Sequence, residues 1–118
     1  MQRQKQLYRQ NKYGNKKVVL DGHRFDSKKE AHYYAELKLR KMAGEVTAIE
    51  LQPTFELQPT YKKNGKTIRA IKYVADFRVT YSDGRVEIVD VKGKKTKEYL
   101  LKKKLFEYKF PELKIIEV

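Results

Sequence analysis

The chain has 118 residues, 28 basic against 15 acidic, for a formal net charge of +13, with 40% hydrophobic residues and no cysteine. That is enough for one hydrophobic core and not for two. Disulfide stapling is excluded, and a zinc centre is not expected from two histidines, His23 and His32, that are neither paired nor at ligand spacing. No apolar run approaches the roughly 20 residues of a membrane span and no signal-peptide pattern opens the chain, so a cytosolic protein without membrane association is expected, and its charge points to a nucleic acid as partner.

In chain order, residues 1–16 are polar and basic and read as a flexible arm that orders only on a partner; residues 17–118 read as a single domain. Val18–Leu20 and Arg24–Phe25 around Asp21-Gly22 predict a short hairpin. Ser27-Lys-Lys-Glu30 opens an amphipathic helix to about Met42, with Ala31, Tyr34, Ala35, Leu39 and Met42 near one face, Glu36 towards solvent and Gly44 as its stop. Strands follow at Val46–Leu51 and Phe55–Tyr61, separated by Gln52-Pro53, and Asn64-Gly65 marks a second hairpin turn. A third hairpin pairs Tyr73–Tyr81 with Arg85–Lys92. Thr96 caps a last helix on which Leu101, Leu105 and Tyr108 recur at helical spacing; Pro111 ends it, and Leu113–Val118 is a final strand.

The third hairpin carries the chemistry. A three-residue loop, Ser82-Asp83-Gly84, with Gly84 left-handed after a type I turn, pairs Tyr81 with Arg85. Phe77 then meets Val89, Asp76 meets Asp90 and Val74 meets Lys92. Cross-strand partners have Cβ atoms roughly 5 Å apart, so two carboxylates can share one ion. One face becomes apolar (Ala75, Phe77, Val79, Val89, Val91) and the other chemical (Asp76, Arg78, Thr80, Ile88, Asp90, Lys92). A two-residue Asp83-Gly84 turn would shift the register by one and separate the aspartates. Like charges that close repel without a cation or a raised pKa, and hard oxygen donors suit magnesium or manganese. The bland alternative is a solvated hairpin with incidental charges. For Glu30 the local reading is a capping box with Ser27; the sharper one is an acid that points at the metal site.

Glu30 on an early helix, Asp76 on one strand and Asp90-Val-Lys92 on the next resemble the PD-(D/E)XK nuclease superfamily. Phe25-Asp-Ser-Lys-Lys-Glu-Ala31, Leu51-Gln-Pro-Thr-Phe-Glu-Leu57, Tyr73-Val-Ala-Asp-Phe77, Asp90-Val-Lys-Gly93 and the Lys-rich helix beyond resemble, more closely, a group of small phage and prophage proteins within it that have no assigned function. Ala75 stands where the superfamily motif has Pro. The resemblance implies an α/β (α+β) fold, a mixed β-sheet flanked by helices with a restriction-endonuclease-like core, in host cytoplasm if phage-encoded. It implies Mg²⁺, or Mn²⁺, held by Asp76, Asp90, the Val91 carbonyl and Glu30, with Lys92 orienting the attacking water or stabilising charge on the phosphate. Gln52, in Leu51-Gln-Pro, reads equally as a group that hydrogen-bonds a metal-bound water or phosphate and as turn chemistry.

Basic residues gather in the arm (Arg9, Lys12), near the second turn (Lys62, Lys63, Lys66) and after the site (Lys94, Lys95, Lys97, then Lys102–Lys104), where they are expected to contact nucleic-acid phosphates. Tyr8 and Tyr13 can stack on unpaired bases. The expected function is a metal-dependent DNA endonuclease, on branched or distorted DNA by analogy. The alternatives are a non-catalytic nucleic-acid-binding protein and an RNA-directed nuclease. Acidic groups beside phosphates favour catalysis, since without a metal they repel the ligand. A homodimer suits paired cuts, although no segment marks an interface.

Overall fold

The computed structural model describes residues 17–91 and 95–118, and the chain divides into two compact units, residues 1–40 and 41–118. In the first, β1 (Val18–Leu20) and β2 (His23–Phe25) form the expected hairpin, with Asp21 and Gly22 both at positive φ. Helix α1 (Lys28–Met42) starts where expected: the Glu30 N–H donates to Ser27 Oγ at 3.1 Å, satisfying one of the free N–H groups of the first turn. Phe25 and Tyr34 pack ring on ring with centroids 5.0 Å apart, and Lys38 pairs with Asp21 at 3.3 Å.

The buried face of α1 is Glu30, Ala31, Tyr34 and Leu37. Ala35, Leu39 and Met42, expected on it, are exposed. At about 100° per residue, Ala35 and Leu39 lie roughly 200° around the helix from Leu37. Burial follows Tyr34 and Leu37, and the C-terminal apolar residues fall on the other side.

The second unit is a mixed α+β fold. Its sheet has the order β10-β9-β8-β3, with β3 (Val46–Leu51), β8 (Phe77–Tyr81) and β9 (Val86–Asp90) antiparallel and β10 (Ile115–Glu117) parallel to β9. The β9-to-β10 connection carries helix α2 (Lys97–Lys109), as a parallel pair requires a crossover. Thr96 caps α2, its Oγ accepting from the Tyr99 N–H at 3.0 Å. Among the described residues no helix is long and apolar enough to cross a membrane.

From β3 to β8 the chain forms one long antiparallel excursion. β4 (Thr54–Gln58) pairs with β7 (Ile71–Val74), and β5 (Tyr61–Lys63) pairs with β6 (Lys66–Ile68) beyond them. The expected strand Tyr73–Tyr81 is interrupted at Ala75-Asp76, opposite Gln52-Pro53. Gln52 is left-handed (φ 49°) and Pro53 has no N–H to donate, so the ladder bends there. The register survives: Gln52 N–H donates to the Asp76 carbonyl at 2.9 Å and Ala75 N–H to that of Pro53 at 3.1 Å.

The core of this unit lies between the sheet and α2, where Phe55, Tyr73, Ala75, Ile88, Tyr99, Phe106 and Ile115 are buried together. The Phe106 ring lies 4.8 Å from Phe55, 5.4 Å from Tyr73 and 5.2 Å from Phe110. The expected α2 stripe is corrected. Leu101, Leu105 and Tyr108 are exposed, and Tyr99 and Phe106, one heptad apart, are buried instead. Both sets have helical spacing; Tyr99 and Phe106 are the ones that meet the rings of Tyr73 and Phe55.

Candidate functional site

The turn after β8 settles the register of the third hairpin. Tyr81 N–H donates to the Arg85 carbonyl at 2.8 Å, Gly84 N–H to that of Tyr81 at 2.9 Å, and Gly84 sits at φ 91° with open space where a Cβ would be. Its backbone angle, not crowding, requires glycine. Phe77 therefore pairs with Val89, as expected from a three-residue loop, and the two-residue alternative is excluded. Beyond that pair the regular ladder ends, and Asp76 is bonded to Val89 and Val91, the two neighbours of Asp90.

Asp76 is half-buried and tied to β9 twice. Its N–H donates to the Val89 carbonyl at 3.1 Å, and its Oδ2 accepts from the Val91 N–H at 2.7 Å. Asp90 is only 2% exposed. A carboxylate so buried is costly unless it is hydrogen-bonded or faces a cation; the Tyr73 hydroxyl donates to its Oδ2. Burial, this bond and the charges of Asp90, Tyr99 and Asp76 push the Tyr73 phenol far above its ordinary range, so it keeps its proton as a donor.

This corrects the expectation of one apolar and one chemical face. Ile88 and Asp90 share a face of β9, yet both are buried, as is Val89 on the other. Ala75, expected beside Phe77, belongs to the Ile88 cluster under α2. The bend at Asp76 therefore exchanges the faces: Tyr73 and Ala75 before it are buried in the α2 core, and Phe77 and Val79 are buried on the face opposite Ile88.

Glu30, in the first unit, is buried (6% exposed), with its N–H on the Ser27 hydroxyl. Lys92 and Lys94 lie outside the described residues, as does the arm with Arg9 and Lys12. Among the described residues no group of three His, Cys, Asp or Glu side chains stands ready for a metal. What does converge is two carboxylates, Asp76 accepting from the Val91 N–H and Asp90 from the Tyr73 hydroxyl. This is an all-oxygen donor set that fits a hard divalent cation and does not fit zinc. Gln52 is exposed and touches Asp76 through its backbone N–H.

A family described as "Protein of unknown function (DUF1064)" matches residues 10–118. The chain belongs to this family. No curated protein and no solved structure matches it.

Three residues of this DUF1064 chain beside the aspartates were not singled out from sequence: Tyr73, Tyr99 and Glu117. The signal that finds them is that a buried tyrosine hydroxyl needs a partner. Tyr73 and Tyr99 have ring centroids 6.3 Å apart; the Tyr99 hydroxyl donates to Glu117 Oε2 at 2.6 Å, and Glu117 pairs with Lys95 at 3.1 Å and Lys103 at 3.4 Å. Lys95, expected to contact phosphate, is thus held by an acid, while Lys97, Lys62 and Lys63 are exposed.

The Tyr99 bond, then Lys95 and Lys103, hold the Glu117 carboxyl down at about 2, from an ordinary 4.5. A lowered carboxylate pKa contributes stability above the unfolded value, and this is lost as pH falls through the folded one. Glu117→Gln is therefore expected to lower the melting temperature at pH 7, by an amount that shrinks as pH falls from 4.5 towards about 2. A deficit that stays constant over that window, in thermal melts of both proteins, would assign the effect to packing alone.

Proposed function

We propose that the chain is a metal-dependent endonuclease that hydrolyses DNA phosphodiester bonds, a member of the PD-(D/E)XK superfamily. The observation that carries this reading is that Asp76 is hydrogen-bonded to the Val91 N–H, next to the buried Asp90 that accepts from the Tyr73 hydroxyl, in a chain of net charge +13. Two acids beside each other have no use in gripping phosphates unless a cation stands between.

Asp76, Asp90 and the Val91 carbonyl would hold Mg²⁺ or Mn²⁺. Bound there, the ion would polarise a phosphoryl oxygen and lower the pKa of the attacking water. The protein's own groups prepare that site: the Val91 N–H orients Asp76 and the Tyr73 hydroxyl orients Asp90. The resemblance adds Glu30 to the acids and gives Lys92 the role of orienting water or stabilising charge on the phosphate. Lys97, at the start of α2, would contact the substrate backbone. Branched or distorted DNA, met in phage replication, recombination and packaging, is the substrate that the resemblance points to.

The test is cleavage of supercoiled plasmid and of a synthetic four-way junction in Mg²⁺, Mn²⁺ or EDTA. Cutting in the metals and not in EDTA is expected; binding without cutting under every condition would move the assignment to a nucleic-acid-binding protein. Tyr73→Phe is expected to weaken Mn²⁺ binding about 10- to 100-fold, read by titration calorimetry without DNA. Unchanged affinity would remove Tyr73 from the site.

A further inference from the structure

Beyond the bend, β5 and β6 form a two-stranded ribbon closed by Asn64-Gly65, both at positive φ, the type I′ turn that fits a twisted hairpin. Between Leu57 and Ala70 the sequence has Lys62, Lys63, Lys66 and Arg69 and no acid. All four are exposed, and no carboxylate among the described residues pairs with them. Elsewhere Lys38, Arg78, Arg85, Lys95, Lys102 and Lys103 do have acidic partners. Lys72, nearer the bend, stands across from Glu56. Within the β4–β7 excursion the uncompensated charge therefore lies in the outer ribbon.

Its arrangement is unfavourable for a hairpin that meets only water. Lys63 and Lys66 are directly opposite each other across the ribbon, on the face that also carries Tyr61 and Ile68, and Lys62 is on the other face with Thr67. Like charges in that relation destabilise a strand pair, and a polyanion reverses the sign. With both faces cationic, the partner must surround the ribbon. Three residues per strand at about 3.3 Å each give a blade about 10 Å long, and the major groove of B-form DNA, about 12 Å wide and 8.5 Å deep, admits a two-stranded ribbon between two rows of phosphates. The major groove of an RNA duplex is too deep and narrow, and a single strand has one row of phosphates.

We propose that β5–β6 is a groove-binding wing for double-stranded DNA, Lys63 and Lys66 facing one phosphate row and Lys62 the other. This deepens the nuclease reading, on which it rests for the choice of DNA, by fixing the substrate as one with a duplex arm. Wing and site are close along the chain: Lys66 is ten residues from Asp76, at most about 36 Å of extended chain. That is about one turn of B-form DNA, so the wing would grip the duplex within a turn of the cut.

The experiment is binding of a fluorescent 30-base-pair duplex, the 30-nucleotide single strand and a matching RNA duplex to the full chain in EDTA, by anisotropy across a salt series. The variant replaces Lys62, Lys63 and Lys66 with Gln. The variant is expected to lose duplex DNA affinity by at least about tenfold at low salt and to flatten the log–log salt slope by about 2 to 3, near 0.9 for each phosphate no longer neutralised. Its melting temperature should not fall, since the three side chains are exposed and the variant removes the repulsion between Lys63 and Lys66. An unchanged salt slope overturns the wing, and equal losses on single-stranded DNA or the RNA duplex overturn the groove. Because EDTA removes cutting from the readout, a protein that fails to cleave still reports on the wing, and a failed wing leaves the cleavage assay untouched.

Discussion

Asp90→Asn is expected to reduce metal-dependent cleavage on the order of 10³-fold or more while duplex binding is kept or tightened. The substitution removes one negative charge and keeps an oxygen to accept from the Tyr73 hydroxyl, so the buried bond survives. Binding holds because the charge removed is one that repels phosphate. Asp90→Ala is expected to abolish cleavage as well, but it leaves the Tyr73 hydroxyl without its partner, which costs about 1–3 kcal/mol of stability. The two variants thus separate chemistry from folding: both fail to cut, and only Ala melts earlier. Plasmid cleavage, anisotropy in EDTA and thermal melting measure the three quantities. Joint loss of cleavage, binding and cooperative melting in Asp90→Asn would make Asp90 a structural residue, and full activity would move the chemistry elsewhere.

Phe106→Ala is expected to be the most destabilising single change, at about 3–5 kcal/mol. The ring is fully buried and touches Phe55, Tyr73 and Phe110. Its removal leaves a cavity between α2 and the sheet that rigid aromatic neighbours fill poorly. Against a typical total of about 5–15 kcal/mol, this is a large fraction, and the melting temperature should fall by roughly 10–20 °C. Tyr108→Ala, on the same helix but 88% exposed, should change it little. Equal effects of the two would mean that α2 does not pack as described. Phe106 also supports Tyr73, so Mn²⁺ affinity in the folded fraction should fall with it, less than in Tyr73→Phe.

Much of the candidate site is legible in the order of residues alone. The register that brings Asp76 to Asp90 follows from Ser82-Asp83-Gly84, since only glycine takes the required left-handed angle cheaply. Ser27 and Thr96 mark both helix starts because a side-chain oxygen must meet the first-turn N–H groups. Asp21-Gly22 and Asn64-Gly65 mark two more turns by the same backbone rule. The surroundings of Asp90 are not legible in this way. Alternation states that Ile88 and Asp90 share a face, and it does not state that α2, about ten residues further on, covers that face with Tyr99 and Phe106. Nor does it foresee the exchange of faces at Asp76, which arises from Gln52-Pro53 on the opposite strand.

Turns, caps, strand register and the cationic surplus are all written into the chain locally, because each depends on the conformational limits or charge of residues close together in sequence. Tertiary packing was needed to choose which stripe of α1 and α2 is buried, to rest Asp90 under an aromatic core on a tyrosine hydroxyl, and to clamp Lys95 with Glu117. These outcomes depend on which of several compatible surfaces meet, and that is settled by the volume and shape of partners distant in sequence.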